Sequence, residues 1–317
     1  PGEALVRVAA AGVNFADIIV RLGLYPSAKK YVGWPITPGF EFSGRVAALG
    51  AGVDDLQVGD EVFGVSLFGA YSSHVSTARH FLLPVPRGVS LVQSAAIAVA
   101  HLTAYYALIE LGAARAGKRV LVHSAAGGVG SALVQMAKAL GCFVVGVVGS
   151  SHKVETVRGF GADVVIDKSS EPLAARLKDV AGEGFDLVLD ANGYETLRQS
   201  YRSLRPTGRL VVYGAHSMLT RGSGRPNWLK LIWTFLRTPW FNPLDLTNDN
   251  KSVLAFNLSY LFEEREMYER SMRQIVEWIE SGAIRIPEVV EYPLREAGRA
   301  HEALQSGRTV GKLLLRT

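Results

Sequence analysis

The stretch Val120 to Gly130 reads Val-Leu-Val-His-Ser-Ala-Ala-Gly-Gly-Val-Gly and holds the residues best suited to chemistry on a dinucleotide. An apolar run meets a glycine-rich turn, and a helical pattern follows through Leu133, Met136, Ala137 and Leu140. That is the strand–turn–helix order a pyrophosphate needs, because free N–H groups at the helix start face the anion. Ala125, Ala126, Gly127, Gly128, Val129 and Gly130 are therefore candidate cofactor-binding residues. Gly127 is expected to let the backbone approach the phosphates, and Gly130 to let the helix pack on its strand. Ala125 stands where the usual fingerprint has its first glycine, and its small side chain still suits a tight turn.

The next apolar run ends in Val148-Gly-Ser-Ser-His-Lys153. A site for NAD would place an acid here to bind the ribose 2′-hydroxyl. None is present, and Ser150, Ser151 and Lys153, with Lys168 beyond Val164-Val-Ile-Asp167, suit a 2′-phosphate instead. The expected cofactor is NADPH. Asn192, Tyr213 and Gly214 are further candidate cofactor-binding residues.

Metal chemistry is not expected. Cys142 is the one thiol, and the seven histidines (His74, His80, His101, His123, His152, His216 and His301) form no HxH or HxxxH pair. Glu41 is flanked by Phe40 and Phe42, not by histidine.

The chain must also build elements to position these residues. Its 317 residues suggest two domains. Hydrophobic residues make up 48% and charged residues 20%, as in ordinary globular α/β proteins. The net charge of +5 favours small anions and is too evenly spread to argue for nucleic acid. A single cysteine excludes an internal disulfide and points to a reducing, cytoplasmic setting. There is no apolar run of about 18 residues and no signal peptide. Pro1-Gly2 leads at once into a strand, so the natural chain is expected to begin earlier.

Residues 1–97 read as short strands with many turns, among them 4–9, 41–50, 58–64 and 69–75, and suggest an irregular β-rich barrel. Ser94 to Leu108 reads as helix. From about Lys118 strands and helices alternate, which implies a doubly wound parallel sheet. Strand candidates are 120–123, 143–148, 164–166, 187–190, 210–213 and 253–257, with helices at 129–140, 152–160, 171–181 and 195–204. Glu264 to Ser281 reads as helix, and 284–286 and 311–315 as strands that could rejoin the first domain. The expected division is a catalytic domain of 1–97 with 261–317 and a nucleotide-binding domain of 98–260. Arg221 to Pro243 fits neither pattern: Trp228, Trp233, Trp240, Phe235 and Phe241 lie among Arg225, Lys230 and Arg237. It reads as a helical insertion over the active-site mouth or a subunit interface, or else as a basic, aromatic surface resting on a membrane.

Several segments together resemble the zinc-free branch of the medium-chain dehydrogenase/reductases, the quinone oxidoreductases related to zeta-crystallin. They are Ala11-Gly-Val-Asn-Phe-Ala-Asp17, Gly23-Leu-Tyr-Pro26, Pro38-Gly-Phe-Glu-Phe-Ser-Gly44, Val58 to Gly64, Leu102-Thr-Ala-Tyr-Tyr106, His123 to Gly130 and Val310-Gly-Lys-Leu-Leu-Leu315. The resemblance spans essentially the whole chain. Val212 to Ala215, the tryptophan-rich insertion and Ala255 to Leu261 look most like the subgroup of the synaptic vesicle amine transport protein. The resemblance implies a GroES-like β-rich catalytic domain, a Rossmann NADP-binding domain and a homodimer. It also implies that Asn14 lies by the nicotinamide and the substrate oxygen, Tyr25 over the cleft, Thr103 beside the nicotinamide ring and Lys153 at the 2′-phosphate. Many members have a tyrosine near the adenosine phosphate where Lys168 stands here.

Taken as chemistry, Asn14 and Tyr25 can donate hydrogen bonds to an enolate or hydroquinone anion without being ionised. No dedicated proton donor is evident. The expected activity is NADPH-dependent, metal-free hydride transfer to a small-molecule quinone or α,β-unsaturated carbonyl. The alternative is a low-turnover, NADPH-binding protein associated with membrane or lipid. The free edge of the last strand also invites a dimer.

Overall fold

The computed structural model describes residues 1–219 and 226–317. The chain forms two compact units, residues 1–102 with 258–317, and residues 103–257. Among the described residues thirteen strands follow in chain order. The first unit opens with β1 (Glu3–Val13), β2 (Glu41–Leu49), β3 (Glu61–Val65), β4 (His74–Ala78) and β5 (Leu82–Pro84). The second unit holds β6 (Arg119–Val122), β7 (Phe143–Val148), β8 (Val164–Asp167), β9 (Phe185–Asp190), β10 (Leu204–Val212) and β11 (Ser252–Ala255). The chain then returns to the first unit for β12 (Val289–Pro293) and β13 (Lys312–Arg316).

The first unit is a seven-stranded sheet in the order β12-β13-β1-β2-β3-β5, with β4 paired to β1. Its strands alternate: Ala4, Val6 and Val8 of β1 are buried between exposed neighbours. They meet Phe42, Val46, Val62, Val75 and Leu82 in one core. Two bulges in the β1–β2 ladder, at Leu5/Val6 and Val8/Ala10, curve the sheet. The pairing of β13 with the end of β1 sets Val13 opposite Leu313 and so brings Lys312 to the neighbourhood of Asn14.

The second unit is a wholly parallel sheet in the order β11-β10-β9-β6-β7-β8. Numbered within the unit this is 6-5-4-1-2-3, the Rossmann order, with the switch point between β6 and β9. A ligand crevice is built outside the carboxyl ends of strands at such a point. β6, β7 and β9 are apolar on both faces, as a covered parallel sheet requires.

Several expectations are corrected. Residues 284–286 form no strand: Ile284 donates its N–H back to Trp278 O at the end of a helix, and Ile286 packs against the Ala10, Ala95 and Leu314 cluster. The strand there is β12, beyond Pro287. The helix expected over 94–108 is broken into Leu91–Ser94, Ala98–Tyr105 and a π-helical turn Tyr106–Leu111. The first unit also holds two short helices, Phe15–Arg21 and Pro26–Tyr31, where strands and turns were expected.

Of the aromatic insertion, Arg221 and Arg225 lie outside the described residues. The remainder forms helices Trp228–Arg237 and Pro243–Asp249. No described helix is long and apolar enough to cross a membrane.

Candidate functional site

The glycine-rich loop is built by close packing. Ser124 adopts φ 54° at the end of β6, turning the chain sharply. A Cβ on Gly130 would lie 2.2 Å from Ser124 O, so only glycine lets the helix Gly128–Ala139 start this close to its strand. Gly127 differs: a Cβ there would meet only Ser124 O, at 3.4 Å. Gly127 is the N-cap residue of that helix, and its outer side is open where an anion would meet the helix's first N–H groups. Ala125 and Ala126 are buried under the turn, and the Ala125 N–H bonds Val147 O at 3.0 Å.

Ser124 Oγ donates to Asn192 Oδ1 at 2.8 Å, which joins this loop to the end of β9. Gly214 packs on the turn after β9; a Cβ there would be 2.8 Å from Ala191 O. Tyr213 donates its backbone N–H to Asp190 O, and burial raises its phenol pKa well above the usual range. Beneath lies a network with no solvent access. Asp190 accepts from the Asn192 N–H and from the Thr196 and Ser200 hydroxyls, and Ser200 Oγ is 3.0 Å from His123 Nε2. Burial holds His123 below the ordinary imidazole pKa. The candidate residues 125–130, 192, 213 and 214 thus surround the carboxyl ends of β6, β9 and β10.

Ser150, Ser151, Lys153 and Lys168 gather at the ends of β7 and β8. The Lys168 Cε lies 3.7 Å from where a Gly149 Cβ would stand. Lys153 is buried at the start of the helix Val154–Gly159. The Ser151 hydroxyl donates to Asp167 Oδ2 at 2.6 Å, so this serine answers first to a carboxylate. Hydrogen bonds from Ser151 and Ser169 hold Asp167 below the usual carboxylate pKa. Thr103 is buried in the helix Ala98–Tyr105.

In the first unit, Asn14 follows β1 and is the N-cap of the helix Phe15–Arg21. Its side chain belongs to a buried group that the sequence reading missed. Asn14 Nδ2 donates to Glu41 Oε1 at 2.9 Å, and Lys312 Nζ donates to Asn14 Oδ1 at 2.5 Å. Lys312 also pairs with Glu41 at 2.6 Å, and Glu41 Oε2 accepts the Val99 N–H at 2.8 Å. Gly12 makes room, since a Cβ there would be 2.4 Å from Glu41 Oε1.

Asp17 lies beneath, accepting N–H groups from Asn14 and Gly39 and the hydroxyl of Tyr71. Burial pushes its carboxyl up to about 7. Tyr71 Oη is also 3.1 Å from His301 Nε2, and burial drives His301 down to about 4.

Tyr25 opens the helix Pro26–Tyr31, and its ring packs edge-on to Phe40 and Phe68. Its hydroxyl is 2.9 Å from Ser259 Oγ.

Three missed residues carried a sequence signal. Glu41 sits between two phenylalanines, Lys312 opens an apolar strand, and Asp17 stands in the first turn of an apolar helix. Ser259 carried none.

The comparisons with known proteins agree with this geometry. The family model for the alcohol dehydrogenase GroES-like domain matches residues 1–87, and the zinc-binding dehydrogenase model matches residues 128–277. A zebrafish (Danio rerio) synaptic vesicle membrane protein VAT-1 homolog is 33% identical over 316 residues; the match covers 100% of this chain and 64% of that protein. The rat (Rattus norvegicus) homolog is 32% identical, covering 99% of this chain and 77% of that one. The crystal structure of Escherichia coli quinone oxidoreductase complexed with NADPH superposes with a TM-score of 0.85 at 32% identity, covering 100% of this chain and 92% of that chain. Despite the name of the second family model, no group of three or more His, Cys, Asp or Glu side chains among the described residues could hold a metal ion. Glu41 is already committed to Asn14, Lys312 and Val99. These side chains do not fit a zinc site.

Proposed function

Because the chain belongs to the medium-chain dehydrogenase/reductase family, we propose that it is an NADPH-dependent oxidoreductase acting on quinones or α,β-unsaturated carbonyls without a metal. The observation that carries this reading is the loop from Ser124 to Gly130, closed by a glycine that no other residue could replace. Residues 125–130, with Asn192, Tyr213 and Gly214, would hold the pyrophosphate and nicotinamide riboside. Ser150, Lys153 and Lys168 would hold the 2′-phosphate. NADPH, when bound, supplies the hydride, so the protein's task is to orient, desolvate and stabilise charge. Thr103 is assigned to the nicotinamide. Tyr25 is assigned to the substrate oxygen; its hydroxyl shares a hydrogen bond with Ser259 Oγ.

A different part is proposed for Asn14. Both amide hydrogens already have acceptors in the protein, Glu41 Oε1 at 2.9 Å and, more loosely, Gly12 O at 3.4 Å. The donor role toward a developing oxyanion is assigned to Tyr25, with Ser259 as the donor in their shared hydrogen bond.

The test is steady-state oxidation of NADPH with 1,4-benzoquinone, 9,10-phenanthrenequinone and a 2-alkenal. Turnover with at least one supports the reading. Tight NADPH binding with no turnover on any of the three overturns it.

One observation favours the second reading, a low-turnover protein resting on a membrane. The helix Trp228–Arg237 and the loop after it expose Trp228, Leu229 (82%), Ile232, Phe235, Leu236 and Trp240 (88%) beside Lys230 and Arg237. Basic, aromatic helices of this kind settle into the headgroup region of acidic bilayers. Co-sedimentation with anionic liposomes that falls in W233A/W240A supports this surface, and no co-sedimentation removes it.

The edge of β11, which among the described residues pairs only with β10, suits a homodimer. Light scattering would show a mass of twice 34.2 kDa. The lone cysteine, buried and unpaired, is in keeping with a cytoplasmic location.

A further inference from the structure

We infer that Asp190 is a positioning residue for the glycine-rich loop: one oxygen of its buried carboxylate folds the turn that carries Asn192, and Asn192 holds Ser124 in the conformation from which the loop departs. This rests on the proposed oxidoreductase function and deepens it. Every residue involved belongs to the second unit.

Ser124 needs holding. Its φ of 54° is sparsely populated for residues other than glycine, and such a conformation persists where neighbours enforce it. The loop depends on it, since Ser124 O accepts the Gly127 N–H at 3.0 Å and sets how closely Gly130 can approach. The Ser124 hydroxyl is tied to Asn192 Oδ1 at 2.8 Å. Asn192 is in turn fixed from behind. Asp190 Oδ1 accepts the Asn192 N–H at 2.8 Å, the Gly193 N–H at 3.2 Å and the Thr196 hydroxyl at 3.0 Å, so the turn wraps around that single oxygen. The Asn192 carbonyl accepts the N–H and the hydroxyl of Ser217.

The other oxygen reaches the adjacent residue of the same strand end by a second route. Asp190 Oδ2 accepts the Ser200 hydroxyl at 2.7 Å, and Ser200 Oγ lies 3.0 Å from His123 Nε2. A hydroxyl has one hydrogen, and here it goes to the carboxylate, so His123 carries its proton on Nε2. His123 Nδ1 is buried without a partner among the described residues, and burial disfavours the charged imidazole. One carboxylate thus fixes consecutive residues, His123 through Oδ2 and Ser124 through Oδ1.

A carboxylate that merely stabilised the fold would not divide its work this way, and variants separate the two arms. D190N keeps the shape and removes one acceptor. Three donors face Oδ1, so the amide oxygen takes that place and the amino group faces Ser200. Ser200 then donates to His123 Nε2, which moves the imidazole proton to Nδ1. Nitrogen-15 spectra of the unliganded protein should show His123 as the Nε2–H form in the wild type and as the Nδ1–H form in D190N. NADPH affinity should stay close to the wild type, because the loop arm is intact. S124A cuts that arm: alanine disfavours positive φ and lacks the hydroxyl, so affinity should fall about tenfold or more, as misplaced groups do. His123 should remain Nε2–H. S124G accepts the conformation without support and should recover most of the loss. The Gly127 and Gly130 amide signals should move in S124A and largely return in S124G. D190A cuts both arms, and its loss of affinity should shrink in D190A/S124G; if D190A does not fold, S124A and S124G test the loop arm.

Wild-type affinity in S124A overturns the inference. So do equal losses in S124A and S124G, which would make the hydroxyl a direct contact, and an unchanged His123 tautomer in D190N. If the wild type binds no NADPH, the functional reading fails; the His123 tautomer and the glycine amide signals then decide the positioning by themselves.

Discussion

Lys312 Nζ lies 2.6 Å from Glu41 Oε1, with the two side chains only 5% and 0% exposed. A buried pair of this kind is weak evidence of net stability, because desolvation offsets the attraction. Breaking it from one side is different. Lys312→Ala should cost about 3–5 kcal/mol in urea unfolding, because it strands a buried carboxylate. E41Q/K312M should cost distinctly less. Equal losses in the two variants would mean that the carboxylate is not stranded.

Gly127 and Gly130 stand three residues apart and should fail in different ways. Gly130→Ala forces a Cβ to 2.2 Å from a backbone oxygen, so the protein should be destabilised by several kcal/mol and bind no dinucleotide. Gly127→Ala meets nothing nearer than 3.4 Å and should unfold close to the wild-type temperature. Its methyl group would occupy the phosphate's approach, and NADPH affinity should fall about tenfold or more. Calorimetry and a binding titration on the same two variants check both statements.

The 2′-phosphate reading rests on Lys153 and Lys168, with Ser150 beside them. Each charge-assisted contact of this kind contributes about 1–3 kcal/mol. Lys153→Met and Lys168→Met should each lower the preference for NADPH over NADH by roughly tenfold, with little effect on NADH itself. Ser151→Ala should matter less, because its hydroxyl is already given to Asp167. Comparing kcat/KM for the two coenzymes reads the preference directly. An unchanged preference in both lysine variants would place the phosphate elsewhere.

Asp17 makes stability depend on pH. Burial pushes its carboxyl up to about 7 in the folded protein, from an ordinary value of 3.8. Between those values the folded chain holds a proton that the unfolded chain has released. The stability that Asp17 contributes is therefore greatest below about 4 and is lost as pH rises through 7. The total is on the order of a few kcal/mol. From pH 5 to pH 8 the melting temperature of the wild type should lose ground against that of Asp17→Asn, a comparison that cancels the opposite contribution of buried histidines such as His301. Identical slopes would assign the dependence to another group. The proton also has a path for its rearrangement. When Asp17 is ionised, Tyr71 donates to it; when Asp17 is protonated, it can donate to Tyr71, which then donates to His301 Nε2.

The nucleotide-binding unit was legible because its signals are local. Val120 to Gly130 writes strand, turn and helix within eleven residues, and the glycine spacing reflects contacts inside that span. The charged side of the first unit was not legible because it is assembled from afar. Lys312 reaches Asn14 across 298 positions of sequence, and only the β1–β13 register brings them together. Residues 284–286 misled for a related reason: two isoleucines two apart fit a strand, but here they anchor a loop on the core. The helix Pro26–Tyr31 was hidden by its own start, since Tyr-Pro reads equally as a turn or as an N-cap followed by proline at the first helical position.

Isothermal titration of the protein with NADPH and with NADH tests the central claim most directly. The account predicts saturable binding of NADPH, about tenfold or more tighter than NADH, with the difference shrinking as salt is raised. No heat with either coenzyme, or tighter uptake of NADH, would contradict it.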